Sequence, residues 1–140
     1  MHILINGDRL ITDVQKQFAS AYPFLKIEFF KRDDTLKSVE PKQTQIAHNV
    51  KLKEAWARKK TEGDLIVNDV MTVSDLENTF KDRFGLTAHL FRRSGNIWLQ
   101  TSITDNWTLK QQNEVGREIT IGRKSGNKDE NDYELNRDPD

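Results

Sequence analysis

The sequence predicts an α+β fold, and three observations carry that prediction. The first half of the chain returns in the second half, 62 positions later. Ile3-Leu4-Ile5-Asn6 reappears as Leu65-Ile66-Val67-Asn68, Thr12-Asp13-Val14-Gln15 as Ser74-Asp75-Leu76-Glu77, and Phe18 as Phe80. After a one-residue deletion, Leu25-Lys26-Ile27-Glu28-Phe29-Phe30-Lys31-Arg32 reappears as Leu86-Thr87-Ala88-His89-Leu90-Phe91-Arg92-Arg93. Each copy reads as strand, helix, strand: a short apolar run, an apolar stripe at four-residue spacing, then an alternating segment. Neither copy is large enough to bury a core alone. Two such βαβ units with right-handed crossovers assemble as one four-stranded antiparallel sheet with both helices on one face, the ferredoxin-like arrangement.

Each element has its own signal. Residues 2–6 form a short buried strand, and Asn6-Gly7-Asp8 turns the chain. Thr12 opens a helix with Gln15 as its capping-box partner, Val14, Phe18 and Tyr22 give the stripe, and Pro23 stops it. In the second copy Ser74 and Glu77 make the box, Leu76, Phe80 and Phe84 the stripe, and Gly85 the left-handed stop. Ser94-Gly95-Asn96 links two strand-like runs as a hairpin, adding a strand over 97–102. Thr108 with Gln111 caps a third helix, to about Arg117.

Residues 33–63, between the copies, are expected to have no counterpart. Asp33 to Lys42 is polar loop, and Gln45 to Lys60 has helical character with Ile46, Val50 and Ala57 as a stripe. The expected organisation is one α+β domain over 1–121, with repeats at 2–32 and 64–93 and an insert at 33–63. An acidic tail expected to be disordered covers 122–140.

The chain has 140 residues, and bulk properties exclude several functions. Basic and acidic residues balance at 22 each, so overall charge draws the chain to neither nucleic acid nor anionic membrane. There is no cysteine, which removes disulfides, thiolate catalysis and cysteine zinc sites. No run approaches the length of a membrane span, and the N-terminal residues do not read as a signal peptide, so a cytoplasmic location is expected. His2, His48 and His89 are scattered without metal-ligand spacing, so no metal and no cofactor is expected. Asp13 and Asp75 match across the repeat, in first helical turns where a carboxylate meets the positive end of the dipole. No nucleophile-elbow, phosphate-loop or calcium-loop motif occurs.

The candidate site is the sheet face away from the helices. Strand periodicity groups Lys26, Glu28 and Phe30 with Thr87, His89, Phe91 and Arg93. An even-numbered hairpin loop would add Trp98 and Gln100 to the same face. The candidate partner-binding residues are Phe30, His89, Phe91, Arg93, Trp98 and, at the corner Thr104-Asp105-Asn106-Trp107-Thr108-Leu109, Trp107. Aromatics interleaved with basic groups also suit single-stranded nucleic acid. A second basic segment for that reading comprises Lys51, Lys53, Trp56, Arg58, Lys59 and Lys60. Against both stands a plainer reading, in which the inserted helix, the third helix or a second copy covers the face.

The stretches Met71 to Leu76, Phe84-Gly85-Leu86, Phe91 to Leu99, Thr104 to Leu109 and Gln112-Asn113 resemble a family of small uncharacterised bacterial proteins over the C-terminal half. The resemblance implies a bacterial cytoplasmic origin and transfers no site residue. The expected function is a non-enzymatic protein-interaction module, self-associating or with a protein partner. The alternative is a single-stranded nucleic-acid-binding domain.

Overall fold

Alternation along His2–Ile5 (β1) buries Ile3 and Ile5 and leaves His2 and Leu4 outside. Gly63–Ile66 (β4) does the same with Leu65. The computed structural model describes residues 1–33, 42–56 and 61–122. In chain order the other elements are α1 (Ile11–Ala21), β2 (Leu25–Asp33), β3 (Lys42–Gln45), a 3-10 turn (Leu52–Ala55) before β4, α2 (Val73–Phe84), β5 (Thr87–Ser94), β6 (Ile97–Gln100) and α3 (Leu109–Ile121). The fold is mixed α/β with two antiparallel sheets, one curled as a half-barrel.

The pairing departs from the ferredoxin-like single sheet. β1 pairs with its own counterpart β4, as a separate two-stranded sheet. β2 pairs with its counterpart β5 at the centre of a sheet ordered β3-β2-β5-β6. The physical reason lies in the strand edges. One edge of β2 takes β5; the other takes β3 at its end, and the Gln15 side chain, which donates to the Ile27 carbonyl at 2.6 Å. On β5 the outer edge takes β6, and Glu77 accepts the Leu90 N–H at 2.9 Å. With those backbone groups satisfied, β2 offers no edge to β1.

The registers contain a pseudo-two-fold axis. Ile3 pairs with Leu65, and Glu28 with His89; in each case the partner is the residue's own counterpart in the other half. Residues on either side of these two pairs exchange symmetrically.

The correspondence extends through the region expected to lack a counterpart. The Ile46 N–H bonds the Phe29 carbonyl, as Thr101 bonds that of Leu90. Ile11 and Thr12 bond the carbonyls of Val50 and His48, as Val73 and Ser74 bond those of Trp107 and Asp105. Leu52 and Lys53 bond Arg9 and Gly7, as Leu109 and Lys110 bond Met71 and Asp69. Leu52 and Leu109 are both buried. Residues 45–56 are therefore not part of the helix expected over 45–60, and residues 57–60 lie outside the described residues. Residues 42–56 form a strand, a capping loop and a 3-10 turn, matched by β6, the Trp107 corner and the start of α3.

Two expected caps are corrected by the same bonds. Thr12 and Ser74 lie inside their helices, and the helix starts are closed by carbonyls from residues 48 and 50 and residues 105 and 107. The side-chain box on α2 is Thr72 with Asp75, while α1 has Leu10 at that place and no side-chain cap. Gly85 (φ 66°) ends α2, and Thr108 with Gln111 caps α3, as the sequence predicts.

Inside, Val14 and Phe18 of α1 and Leu76, Phe80 and Phe84 of α2 pack with Leu25, Ile27 and Phe29 of β2 and Ala88 and Leu90 of β5. Phe29 and Phe80 meet edge to face, with ring centroids 5.4 Å apart. Each such buried phenylalanine contributes roughly 2–3 kcal/mol. α3 reaches the same face at Arg92: a Cβ on Gly116 would lie 3.0 Å from the Arg92 side chain and from Phe24. The core side of the four-stranded sheet is thus covered by helices.

Candidate interaction surface

The other face of this sheet carries Lys26, Glu28 and Phe30 from β2, Thr87, His89, Phe91 and Arg93 from β5, and Trp98 and Gln100 from β6. The hairpin is a two-residue Gly95-Asn96 turn, so Phe91 aligns with Gln100 and Arg93 with Trp98. β3 adds Gln43 and Gln45, since Phe30 pairs with Gln45.

Two polar groups lie at its centre. Glu28 is only 1% exposed. Its carboxylate is approached by His48 Nε2 at 2.8 Å, Lys26 Nζ at 3.2 Å and Gln15 Nε2, which donates at 3.2 Å. Opposite it, His89 sets Nε2 2.8 Å from Gln43 Oε1 and Nδ1 3.7 Å from Glu77 Oε1. Gln15 and Glu77 are themselves counterparts, so each half sends a helix side chain to its own central strand residue.

Aromatic rings flank this centre. Phe30 lies 5.0 Å from the His89 ring. Lys26 Nζ stands 5.6 Å from the Phe91 ring and 5.0 Å from Trp98, a cation held over two ring faces. Phe30, His89 and Phe91 are half-buried, and Trp98 is 36% exposed. Arg93 is exposed, with Nε donating to the Gly95 carbonyl at 3.0 Å. The predicted residues Phe30, His89, Phe91, Arg93 and Trp98 therefore share one surface.

Trp107 does not join them. Its carbonyl closes α2, and the Arg92 guanidinium lies 5.6 Å from its half-buried ring on the helix side of the sheet. Trp56 is also structural: the indole donates to the Phe84 carbonyl at 2.7 Å and lies against Gly7. Lys51 and Lys53 are exposed within 4.0 and 3.7 Å of Asp8. Arg58, Lys59, Lys60 and the acidic tail lie outside the described residues.

His89 thus has a carboxamide at one ring nitrogen and the Glu77 carboxylate near the other, and no group of three metal-ligating side chains occurs among the described residues. A separate depression lined by Tyr22, Asn68, Asp69 and Val70 holds no histidine. No helix among the described residues is long and apolar enough to cross a membrane.

Sequence reasoning placed Glu28 on this face without anticipating its burial, and missed His48 and Gln43 as members of the surface. Glu28 was legible as a carboxylate between Ile27 and Phe29. His48 and Gln43 carried no signal, because their positions depend on β3 docking beside β2. The longer repeat had one: His48-Asn49-Val50-Lys51-Leu52-Lys53 against Asp105-Asn106-Trp107-Thr108-Leu109-Lys110 shares Asn, Leu and Lys at matching places. No family model matches the chain, and no curated protein or solved structure matches it.

Proposed function

We propose that this chain is a non-catalytic protein-interaction module of the cytoplasm, built from a duplicated unit, that docks a protein partner on the outer face of its four-stranded sheet. The observation that carries the reading is the Phe30-His89 and Lys26-Phe91-Trp98 cluster. It is a partly exposed aromatic surface around a buried polar centre, on the face opposite the helices. Aromatic side chains with cationic neighbours supply contact area at small entropic cost, which suits an interface core. The matched hydrogen bonds in the two halves support duplication.

Single-stranded nucleic acid is the second reading, supported by the same rings standing beside Lys26 and Arg93. Glu28 beneath them weakens it, since it already engages Lys26.

The test is affinity capture with the full chain and with Phe91→Glu/Trp98→Glu, both checked for folding by circular dichroism, followed by titration of the purified captured protein. The expected result is direct binding by the wild-type chain and at least tenfold weaker binding by the variant. Equal binding by both would sink the reading. Salt-dependent quenching of tryptophan fluorescence by oligonucleotides would favour the second one.

A further inference from the structure

The geometry points to β6 as a strand-pairing edge that joins a second copy of this chain in antiparallel register. This rests on the interaction reading above and names its partner at the Trp98 end of the surface.

The hairpin fixes which backbone groups of β6 face outward. A two-residue turn makes Ser94 and Ile97 a hydrogen-bonded pair, and the alternation makes Arg92 and Leu99 the next. The following pair is Leu90 with Thr101, and the Thr101 N–H does bond the Leu90 carbonyl at 3.1 Å. Trp98 and Gln100 therefore direct their N–H and C=O groups away from β5. Among the described residues nothing bonds them.

On β1, β4, β2 and β5, outward backbone groups are met by side chains from within the molecule. Arg9 and Gln17 donate to the Leu4 and His2 carbonyls of β1. Arg83 donates to the Asp64 carbonyl of β4. Gln15 and Glu77 fill the free stretches of β2 and β5.

The pseudo-symmetry provides an internal comparison. β3 holds the place in the first half that β6 holds in the second, at the opposite end of the same sheet. It reads Lys42-Gln43-Thr44-Gln45, a polar edge of the kind that resists pairing. β6 reads Ile97-Trp98-Leu99-Gln100, with Ile97 57% and Leu99 42% exposed and no charge, proline or bulge. Equivalent backbone positions thus carry opposite chemistry.

That contrast selects the occupant. A two-fold pairing of β6 with β6, centred on Trp98, sets Ile97 of each copy against Leu99 of the other and brings two uncharged strands together. It yields one sheet of eight strands, closed at both ends by polar β3 edges, so assembly stops at the dimer rather than continuing as a filament. The chain's zero net charge leaves no overall repulsion between copies. A four-residue strand is a small interface, so the dimer dissociates on dilution.

The experiment is sedimentation equilibrium of the full chain up to roughly 1 mM, with Leu99→Lys and Thr44→Lys compared. Position 44 of β3 is the equivalent of position 99, which makes Thr44→Lys the control for an added edge charge. Wild type and Thr44→Lys are expected to move from 16.3 kDa toward twice that mass with concentration, and Leu99→Lys to remain at 16.3 kDa. Amide exchange gives a second readout that needs no variant: the Trp98 and Gln100 amides gain protection as concentration rises. A wild-type chain that stays monomeric throughout, or a dimer unaffected by Leu99→Lys with those amides unprotected, overturns the inference. A monomer that still binds a different protein through Phe91 and Trp98 overturns the β6 pairing alone and leaves the interaction reading standing.

Discussion

Glu28 and His89 are direct cross-strand partners on β2 and β5, and each occupies the other's place in the two halves of the sequence. The pseudo-two-fold axis of the sheet therefore passes between a carboxylate and an imidazole. A true dimer would be forced to put the same residue on both sides of such an axis. A single covalent chain can differentiate the two positions, and this one has done so. It buries an acidic group on one side, with Lys26, His48 and Gln15 around it. On the other it leaves a half-buried histidine between Gln43 and Glu77.

Removing the Glu28 carboxylate strips the centre of its acceptor. Lys26 and His48 keep 33% and 52% of their side-chain surface in solvent and rehydrate, while Gln15 retains the Ile27 carbonyl. Glu28→Ala is expected to lower stability by about 1–3 kcal/mol, and Glu28→Gln, which keeps the shape, by less. Urea unfolding of the three proteins measures both. A carboxamide as disruptive as alanine would mean that the charge, not the packing, holds the centre.

Tyr22 supplies a pH dependence. Its hydroxyl donates to Asp69 Oδ1 at 2.8 Å, and the residue is 5% exposed. Burial, then the bond to Asp69 and its negative charge, push the phenol well above its ordinary value of 10.0. The folded chain thus keeps a proton that the unfolded chain loses. The contribution is fully present below about pH 10 and declines as pH rises beyond it toward the folded-state value. Unfolding midpoints are expected to fall as pH rises above about 10, with a shallower fall in Tyr22→Phe. Parallel slopes for the two proteins would show that other groups govern the alkaline limb.

Gly7 tests the docking of the first capping segment. A Cβ there would stand 2.5 and 2.7 Å from the Trp56 ring, and the ring cannot retreat without breaking its bond to the Phe84 carbonyl. Gly7→Ala is expected to destabilise by about 1–3 kcal/mol and to red-shift the tryptophan emission. Shrinking the ring should restore part of the loss, so Gly7→Ala/Trp56→Phe should be less destabilised than the sum of the single changes. Simple additivity would place the strain somewhere other than the indole.

Much of the fold was written locally. Helix stripes at Val14 and Phe18 and at Leu76, Phe80 and Phe84, the Gly85 stop, the Thr108-Gln111 cap and the Gly95-Asn96 hairpin all lie within a few residues of their causes. The shared face of Phe30, His89, Phe91, Arg93 and Trp98 followed from the period of two and an even turn. The helix starts were misassigned because their closing carbonyls come from residues 48 and 50 and residues 105 and 107, distant in sequence. Trp56 and Trp107 each read two ways in the sequence, as a binding residue or as an indole docked on the body, because the two look alike until something packs against them.

By itself the sequence determined that two similar strand-helix-strand units exist, which side of each strand is apolar, and that β6 is uncharged where β5 carries Arg92 and Arg93. Only the tertiary structure decided that each strand pairs with its own counterpart, that Gln15 and Glu77 close the central edges, and that Glu28 meets His89 on the axis. The reason is that strand pairing is a competition among edges. An isolated strand offers donors and acceptors on both sides and favours no neighbour. The choice is made when helix side chains fill some of those edges and leave others, β6 among them, unfilled.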